Sequence, residues 1–295
     1  MRVFTVINPV AGKTKAGTVA KTLQRYFDPA KWQMEIYETK GEEQVGAIVK
    51  EAVEGGADYV FSAGGDGTVS QVVDGLAHSD VPLGIIPSGT SNVIAQELGI
   101  PLNVDKACQM LAGTPAVLAV DAIQVGEQFF ILAVGTGIDA KVMESVSREG
   151  KRRFGPLAYA WTTLKVIVGM QPRRFTVIAD GKAFQMKAAV VLLSNVGTLT
   201  RPLRWGPNIR PDDGRIDINI IRGKNVLDYM LSAYDVLPGG PRPTAHIRHI
   251  EAKESVTIFA DQTLRVQGDG ELIGYTPLEA RVIPGAVKVL VPPAN

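Results

Sequence analysis

Tyr59-Val60-Phe61-Ser62-Ala63-Gly64-Gly65-Asp66-Gly67-Thr68 is an apolar, β-leaning run that breaks into a five-residue glycine turn. An amphipathic run begins at Val69, so the order predicts strand, tight turn, helix. Three glycines let the backbone come close to a ligand and aim several N–H groups at one point. The helix start behind them adds positive dipole character, and the turn therefore suits phosphate. Asp66 is the discordant residue. A carboxylate in an anion cradle repels a bare phosphate unless a cation lies between them, or unless it is there to accept a proton. That tension points to nucleotide-dependent chemistry rather than anion storage.

On either side of this turn, strand and helix signals alternate over the first 115 or so residues. Strands are predicted over 2–7, 32–38, 58–63 and 82–87, and helices over 16–27, 42–54, 69–76 and 92–98. Repeated βα units imply a doubly wound parallel sheet, whose ligands bind beyond the carboxyl ends of the strands. The loops at 8–15, 64–68 and 88–91 each follow a strand and should converge on one crevice. After about Thr114 the pattern turns β-rich. Hairpins are predicted from 117–125 into 128–134 around Gly126-Glu127, and from 174–179 into 182–193 around Asp180-Gly181. Further strands are expected at 215–221, 255–260, 264–267, 278–283 and 286–291, with helical insertions at 138–147, 156–169 and 226–236. The expected architecture is an α/β nucleotide domain (1–115) followed by a mostly antiparallel, sandwich-like domain (116–295), with a cleft between them.

Composition bounds the function classes. The chain has 295 residues, 45% hydrophobic and 21% charged, with a formal net charge of +1. No global field argues for nucleic acid, so an anionic partner must be recruited locally. The one cysteine, Cys108, allows no intrachain disulfide and no cysteine zinc site, and it falls in an amphipathic helix as a core residue. The amino-terminal run is too short and strand-like for a signal peptide, and no apolar stretch approaches the roughly 20 residues of a membrane span. The expectation is a soluble, cytoplasmic protein. His246 and His249 lack the further ligands of a zinc set.

Two more blocks flank the glycine turn. Asn8-Pro9-Val10-Ala11-Gly12-Lys13 follows the first strand but is not a Walker A motif, and Pro87-Ser88-Gly89-Thr90-Ser91-Asn92 sets hydroxyls and a glycine ahead of a helix. These three blocks, in this order, resemble the diacylglycerol kinase catalytic-domain superfamily, which includes bacterial lipid kinases, sphingosine kinases and ceramide kinases. The resemblance continues through Val120-Asp121, Gly135-Thr136-Gly137, Arg153-Phe154-Gly155-Pro156, the acidic turn Pro211-Asp212-Asp213-Gly214 and the late run Gln267-Gly268-Asp269-Gly270-Glu271.

The resemblance implies ATP-dependent, magnesium-dependent phosphorylation of a lipid hydroxyl, on diacylglycerol or a sphingoid-like lipid. By the same analogy Gly64, Gly65, Gly67, Thr68, Gly89 and Thr90 line the phosphates, with Asn8 and Lys13 nearby. Asp66 orients or neutralises through magnesium, Asp269 is the first choice as general base, and Glu271 positions metal or nucleotide. The roles of Asp66 and Asp269 can be exchanged. Asp213 stands in the turn that holds a structural magnesium in some bacterial members. Val93 replaces the acid of the bacterial third block and leans toward the sphingosine-kinase variant of that loop. Arg201, Arg204 and Trp205 mix cations with an interfacial aromatic and suggest transient contact with a membrane surface; Lys151-Arg152-Arg153-Phe154 is a second such cluster. A homodimer is compatible with the sequence. The rival readings are an NAD kinase, which shares the Gly-Gly-Asp-Gly-Thr turn, and a catalytically silent nucleotide- or lipid-binding protein.

Overall fold

The computed structural model describes residues 1–12, 16–41, 43–137, 172–200, 203–204, 209–222 and 247–293. Lys13, the cluster at 151–154, Arg201, Trp205, His246 and the helices expected over 138–147, 156–169 and 226–236 lie outside them. The first part runs β1 (Arg2–Ile7), α1 (Ala16–Tyr26), β2 (Gln33–Glu38), α2 (Val45–Glu54), β3 (Tyr59–Gly64), α3 (Asp66–Leu76), β4 (Leu83–Pro87), α4 (Val93–Glu97) and α5 (Val104–Ala112). Strands lie in the order β2-β1-β3-β4, all parallel.

The strand period explains this layering. Val3 and Ile7 of β1 pack on one face with Val19 and Leu23 of α1 and Leu111 of α5. Phe4 and Val6 face the other way, onto Val45 and Val49 of α2 and Val69 and Val73 of α3. Both faces are covered, which is why β3 and β4 read as near-continuous apolar runs. Cys108 is buried in α5, and burial pushes its thiol up to about 12, so it is a core group without nucleophilic character. The helix expected over 69–76 starts at Asp66 instead, so Asp66, Gly67 and Thr68 of the glycine turn are already helical.

The second part runs β5 (Ala116–Val125), β6 (Gln128–Phe130), β7 (Ala133–Thr136), β8 (Arg173–Ala179), β9 (Lys182–Ala188), β10 (Val190–Ser194), β11 (Thr198–Thr200), β12 (Leu203–Arg204), β13 (Ile216–Ile221), β14 (Ile247–Ala252), β15 (Ser255–Ala260), β16 (Arg265–Gly268), β17 (Glu271–Tyr275) and β18 (Leu278–Val291). One sheet, β14-β13-β10-β7-β16-β17, is antiparallel throughout. It packs on the far half of the first sheet, where β18, β15, β8 and β9 are neighbours, and Phe175, Val177, Val191, Ile218 and Ile258 are among the side chains buried between them. The sandwich is as the sequence predicts, but two expected strands are split. Residues 128–134 divide into β6 and β7, and 182–193 into β9 and β10, because the chain there passes from one sheet to the other. β14 and β17 carry weak alternation and were not expected from the sequence.

Conversely, 278–283 and 286–291 form one strand of 14 residues, with a register shift between Ile283 and Val287. Asp121 of β5, only 2% exposed, holds that kink: its carboxylate accepts from Gly285 N at 2.8 Å and Gly214 N at 2.7 Å. The first half of β18 pairs with β15, both halves pair with β5, and the second half meets β4 in parallel at Val289–Leu83. The last strand therefore stitches the sandwich onto the α/β sheet.

At one end of the antiparallel sheet the register places Ser194, Asp217 and Glu251 in a row. Like charges directly opposite one another are unfavourable. Burial, then Glu251 and Asp213, push the Asp217 carboxyl up to about 6, with Arg215 opposing. A folded-state value above the unfolded one means that the folded protein binds the proton more tightly, so stability falls as pH rises from about 4 through about 6. Asp217→Asn should accordingly raise the thermal midpoint at pH 7 in magnesium-free buffer, and the gain should vanish by pH 4, as measured by calorimetry.

Candidate active site

The three loops expected to share a crevice meet backbone to backbone. A Cβ on Gly12, which has φ +62, would fall 2.0 Å from the Ser88 carbonyl oxygen. A Cβ on Gly89 would fall 2.3 Å from the Gly65 Cα. The Ser88 and Gly89 amides both donate to the Gly64 carbonyl, at 3.0 and 3.1 Å. Only glycine permits this closeness, so the glycines of the three blocks serve first to pack the loops together. Gly67 differs: a Cβ there meets nothing within 4 Å. It faces open space at the first turn of α3, where the Thr68 and Val69 amides both turn back to the Gly65 carbonyl. The Asp66 and Gly67 amides have no intrahelical carbonyl acceptor, and the Asp66 amide turns toward its own carboxyl; this is the anion-seeking end of the helix.

The side chains around this turn largely lock it. Asn8 donates from Nδ2 to Thr68 Oγ1 at 3.1 Å and accepts from the Val10 amide at 3.1 Å. Thr68 is buried beneath Gly64. Asn92 and Gly89 exchange two bonds, Gly89 N to Oδ1 at 3.1 Å and Nδ2 to the Gly89 carbonyl at 3.0 Å. Thr90 is exposed at the rim. Asp66 Oδ1 accepts from the Ile94 amide at 3.3 Å, tying the start of α3 to the start of α4. Burial pushes the Asp66 carboxyl up, and the amides of Ile94, Val93, Asn92 and Asp66 itself pull it back.

Along α3, Asp66, Ser70 and Asp74 recur every four residues and form one polar row beside the apolar face of Val69, Val72, Val73 and Leu76. That row meets the second domain. Asp74 Oδ1 accepts from the Phe129 amide at 3.0 Å. Ser70 donates to Asp269 Oδ2 at 2.6 Å. The amides of Ile131 (3.2 Å), Leu132 (3.1 Å) and Ala133 (2.9 Å) also donate to the Asp269 carboxylate. Asp269 keeps some exposure as a residue, but its carboxylate is enclosed: burial pushes the carboxyl up, and Ser70 and the three amides oppose this. Four donors on two oxygens use the carboxylate's lone pairs, so a substrate hydroxyl would have to displace one of them. Glu271, two residues on, is exposed at the head of β17, and no described residue bonds its carboxylate.

Ser70 and Asp74 were not singled out in the sequence, although their fourfold spacing from Asp66 was visible. Asp213 does not join the cradle. It is exposed in the Asp121 turn and its carboxylate caps the Arg215 amide at 3.1 Å. Among the described residues no three Asp, Glu, His or Cys side chains are arranged to hold a metal. Arg204, whose side chain is 40% exposed, pairs its guanidinium with Glu97 at 2.9 Å. A magnesium ion that arrives on nucleotide phosphates needs only one or two protein carboxylates, and Asp66 fits that lesser demand.

Known proteins share this chain's two-part organisation. Residues 2–125 match the diacylglycerol kinase catalytic domain, and residues 132–291 match the YegS C-terminal NAD kinase beta sandwich-like domain. A Staphylococcus haemolyticus protein with a lipid-kinase name is 30% identical over 81% of this chain and 78% of its own length. A Bacillus subtilis diacylglycerol kinase is 29% identical over 93% of this chain and 91% of its own length. The crystal structure of a diacylglycerol kinase from Bacillus anthracis superposes with a TM-score of 0.81 at 24% identity, covering 99% of this chain and 97% of that one.

The two kinds of glycine separate experimentally. Gly89→Ala should destabilise the fold by about 1–3 kcal/mol in chemical denaturation, because backbone must move to admit the methyl. Gly67→Ala should leave stability unchanged, or raised by up to about 1 kcal/mol from helix propensity, yet weaken binding of a phosphate-bearing ligand, read by titration calorimetry, by crowding the open amide.

Proposed function

The chain belongs to the diacylglycerol kinase catalytic-domain family, and on that premise we propose that it transfers the terminal phosphate of ATP to the hydroxyl of a diacylglycerol or sphingoid-like lipid. The observation that carries this reading is the contact between Ser70 and Asp269. Ser70 lies one helical turn, about 6 Å, beyond Asp66, so the bond sets the second domain's Asp-Gly-Glu turn beside the phosphate-seeking end of α3.

In this reading the residues divide the work. The amides at the start of α3 and the rim of the Gly89–Thr90 loop hold the phosphates of ATP. Magnesium bound with the nucleotide would offset phosphate charge, and Asp66 would hold it. Asp269, saturated by its own donors, fixes the turn. Glu271 accepts the proton of the lipid hydroxyl as that oxygen attacks phosphorus, so Glu271 and not Asp269 is the general base of this proposal. Phosphoryl transfer asks little more of a protein than such positioning and charge compensation. A lipid acceptor brings the working protein to a membrane surface, and no helix among the described residues is long and apolar enough to cross one.

Purified protein incubated with labelled ATP and magnesium should place label in a lipid from an extract or a diacylglycerol panel. Label in NAD alone would replace the lipid reading, and label in nothing would mean a silent binding protein. Glu271→Gln should lower turnover about 10²–10⁴-fold, as loss of a general base does, with an unchanged thermal midpoint. Asp269→Asn should cost stability as well, by about 1–3 kcal/mol, because its amide would face N–H donors.

A further inference from the structure

Glu97 closes the five-residue helix α4, and its side chain is only 7% exposed. A carboxylate so enclosed needs partners, and among the described residues they come from the two strands of the second domain's small hairpin. The Thr198 amide donates to Oε2 at 2.9 Å. Arg204 grips both oxygens, Nη1 to Oε2 at 3.2 Å and Nη2 to Oε1 at 2.9 Å. The guanidinium also reaches Thr198 Oγ1 at 3.0 Å, so β11 and β12 are cross-braced on the same pair. Val196, just upstream, is buried in the cluster that contains Ile94 and Ala95 of α4. This is a two-pronged ion pair in a sheltered setting, the geometry in which such pairs are strongest.

The other end of α4 belongs to the phosphate cradle. Its Ile94 amide is held by Asp66, and Asn92, immediately before it, holds Gly89 against Gly65. A single turn of helix is thus clamped at its start by the nucleotide side and at its end by the second domain. So short a helix has no independent stability; the burial of Ile94 and Ala95 in the core seats it, and the two clamps fix its ends.

We propose that Glu97 and Arg204 are a positioning pair that holds the Gly89–Ile94 segment in its phosphate-ready place from the second domain, so that docking of the β11–β12 hairpin and affinity for ATP are coupled. The inference rests on the reading of the cradle as an ATP site. Neither residue touches the phosphates; both act through α4.

The test uses the full chain and ATP itself. ATP affinity by titration calorimetry is measured for wild type, Glu97→Gln, Arg204→Ala, the double variant and Arg204→Lys, alongside amide exchange at Ile94 and thermal midpoints. Each of Glu97→Gln and Arg204→Ala should weaken ATP binding about fivefold and speed exchange at Ile94. The double variant should be no worse than the weaker single, and Arg204→Lys should recover part of the affinity. A purely structural pair would lower the midpoint and speed exchange at Thr198 while leaving ATP affinity and Ile94 exchange as in wild type; that result overturns the proposal, and so does additivity of the two substitutions. If Arg204→Ala does not fold, Glu97→Gln and Arg204→Lys still decide between these outcomes. Should wild type fail to bind ATP, the nucleotide reading falls by itself, and the coupling to ATP falls with it. Ile94 exchange then reports whether the clamp reaches the loop at all.

Discussion

A single carboxylate sets the geometry on which the active site depends. Asp269 accepts from a serine on α3 and from three consecutive amides where the chain passes from β6 to β7. It does so from a left-handed backbone, φ 48, followed by Gly270 at φ 92, a conformation that Asp tolerates better than most residues. Its own amide donates to the Ala133 carbonyl at 2.9 Å. The crossing between sheets, the tip of the β16–β17 hairpin and the helix behind the phosphate turn are thereby fixed to one another. An enclosed carboxylate with four donors is satisfied; with one donor fewer it would be a liability. The sheet crossover and the domain contact are thus one feature.

Division of labour between carboxylates follows from the same constraint. Asp66, Asp269 and Glu271 are three acids near one crevice, and their environments differ. Asp66 is anchored on the amide that opens α4, Asp269 is saturated, and Glu271 is exposed and unbonded by any described residue. The proposed reaction would use one carboxylate for charge, one for structure and one for proton transfer, and the partners of these three already differ in that way. Asp121 shows the same use of a buried acid as a joint, between the kink of β18 and the 211–214 turn.

Much of this could be read in the chain because it is local. The alternation of Val3, Phe4, Val6 and Ile7, the helical faces of α1 and α2, and the strand-turn-helix order around Gly64–Thr68 all announce themselves within a few residues. The convergence of three loops followed from the rule that such loops share the carboxyl edge of a parallel sheet. What could not be read is long-range. Ser70 and Asp269 stand 199 residues apart, and Glu97 and Arg204 107 apart. The breaks at Ile131–Leu132 and Ala189 interrupt apolar runs that look continuous, since nothing in an apolar run says which sheet it joins. The motif resemblance located Asp269 and Glu271 but ranked them by analogy, and the proposed exchange of roles rests on the long-range donors around Asp269. The pairing of Arg204 could not be read because Glu97, its partner, lies in another domain's helix.

The most direct measurement is a crystal structure of the protein with a non-hydrolysable ATP analogue, magnesium and a short-chain diacylglycerol. The account predicts the terminal phosphate against the Asp66–Gly67 amides, the lipid hydroxyl within about 3 Å of the Glu271 carboxylate, and Asp269 still bonded to Ser70 and the 131–133 amides. Asp269 released from Ser70 and facing the lipid hydroxyl, with Glu271 turned to solvent, would contradict it.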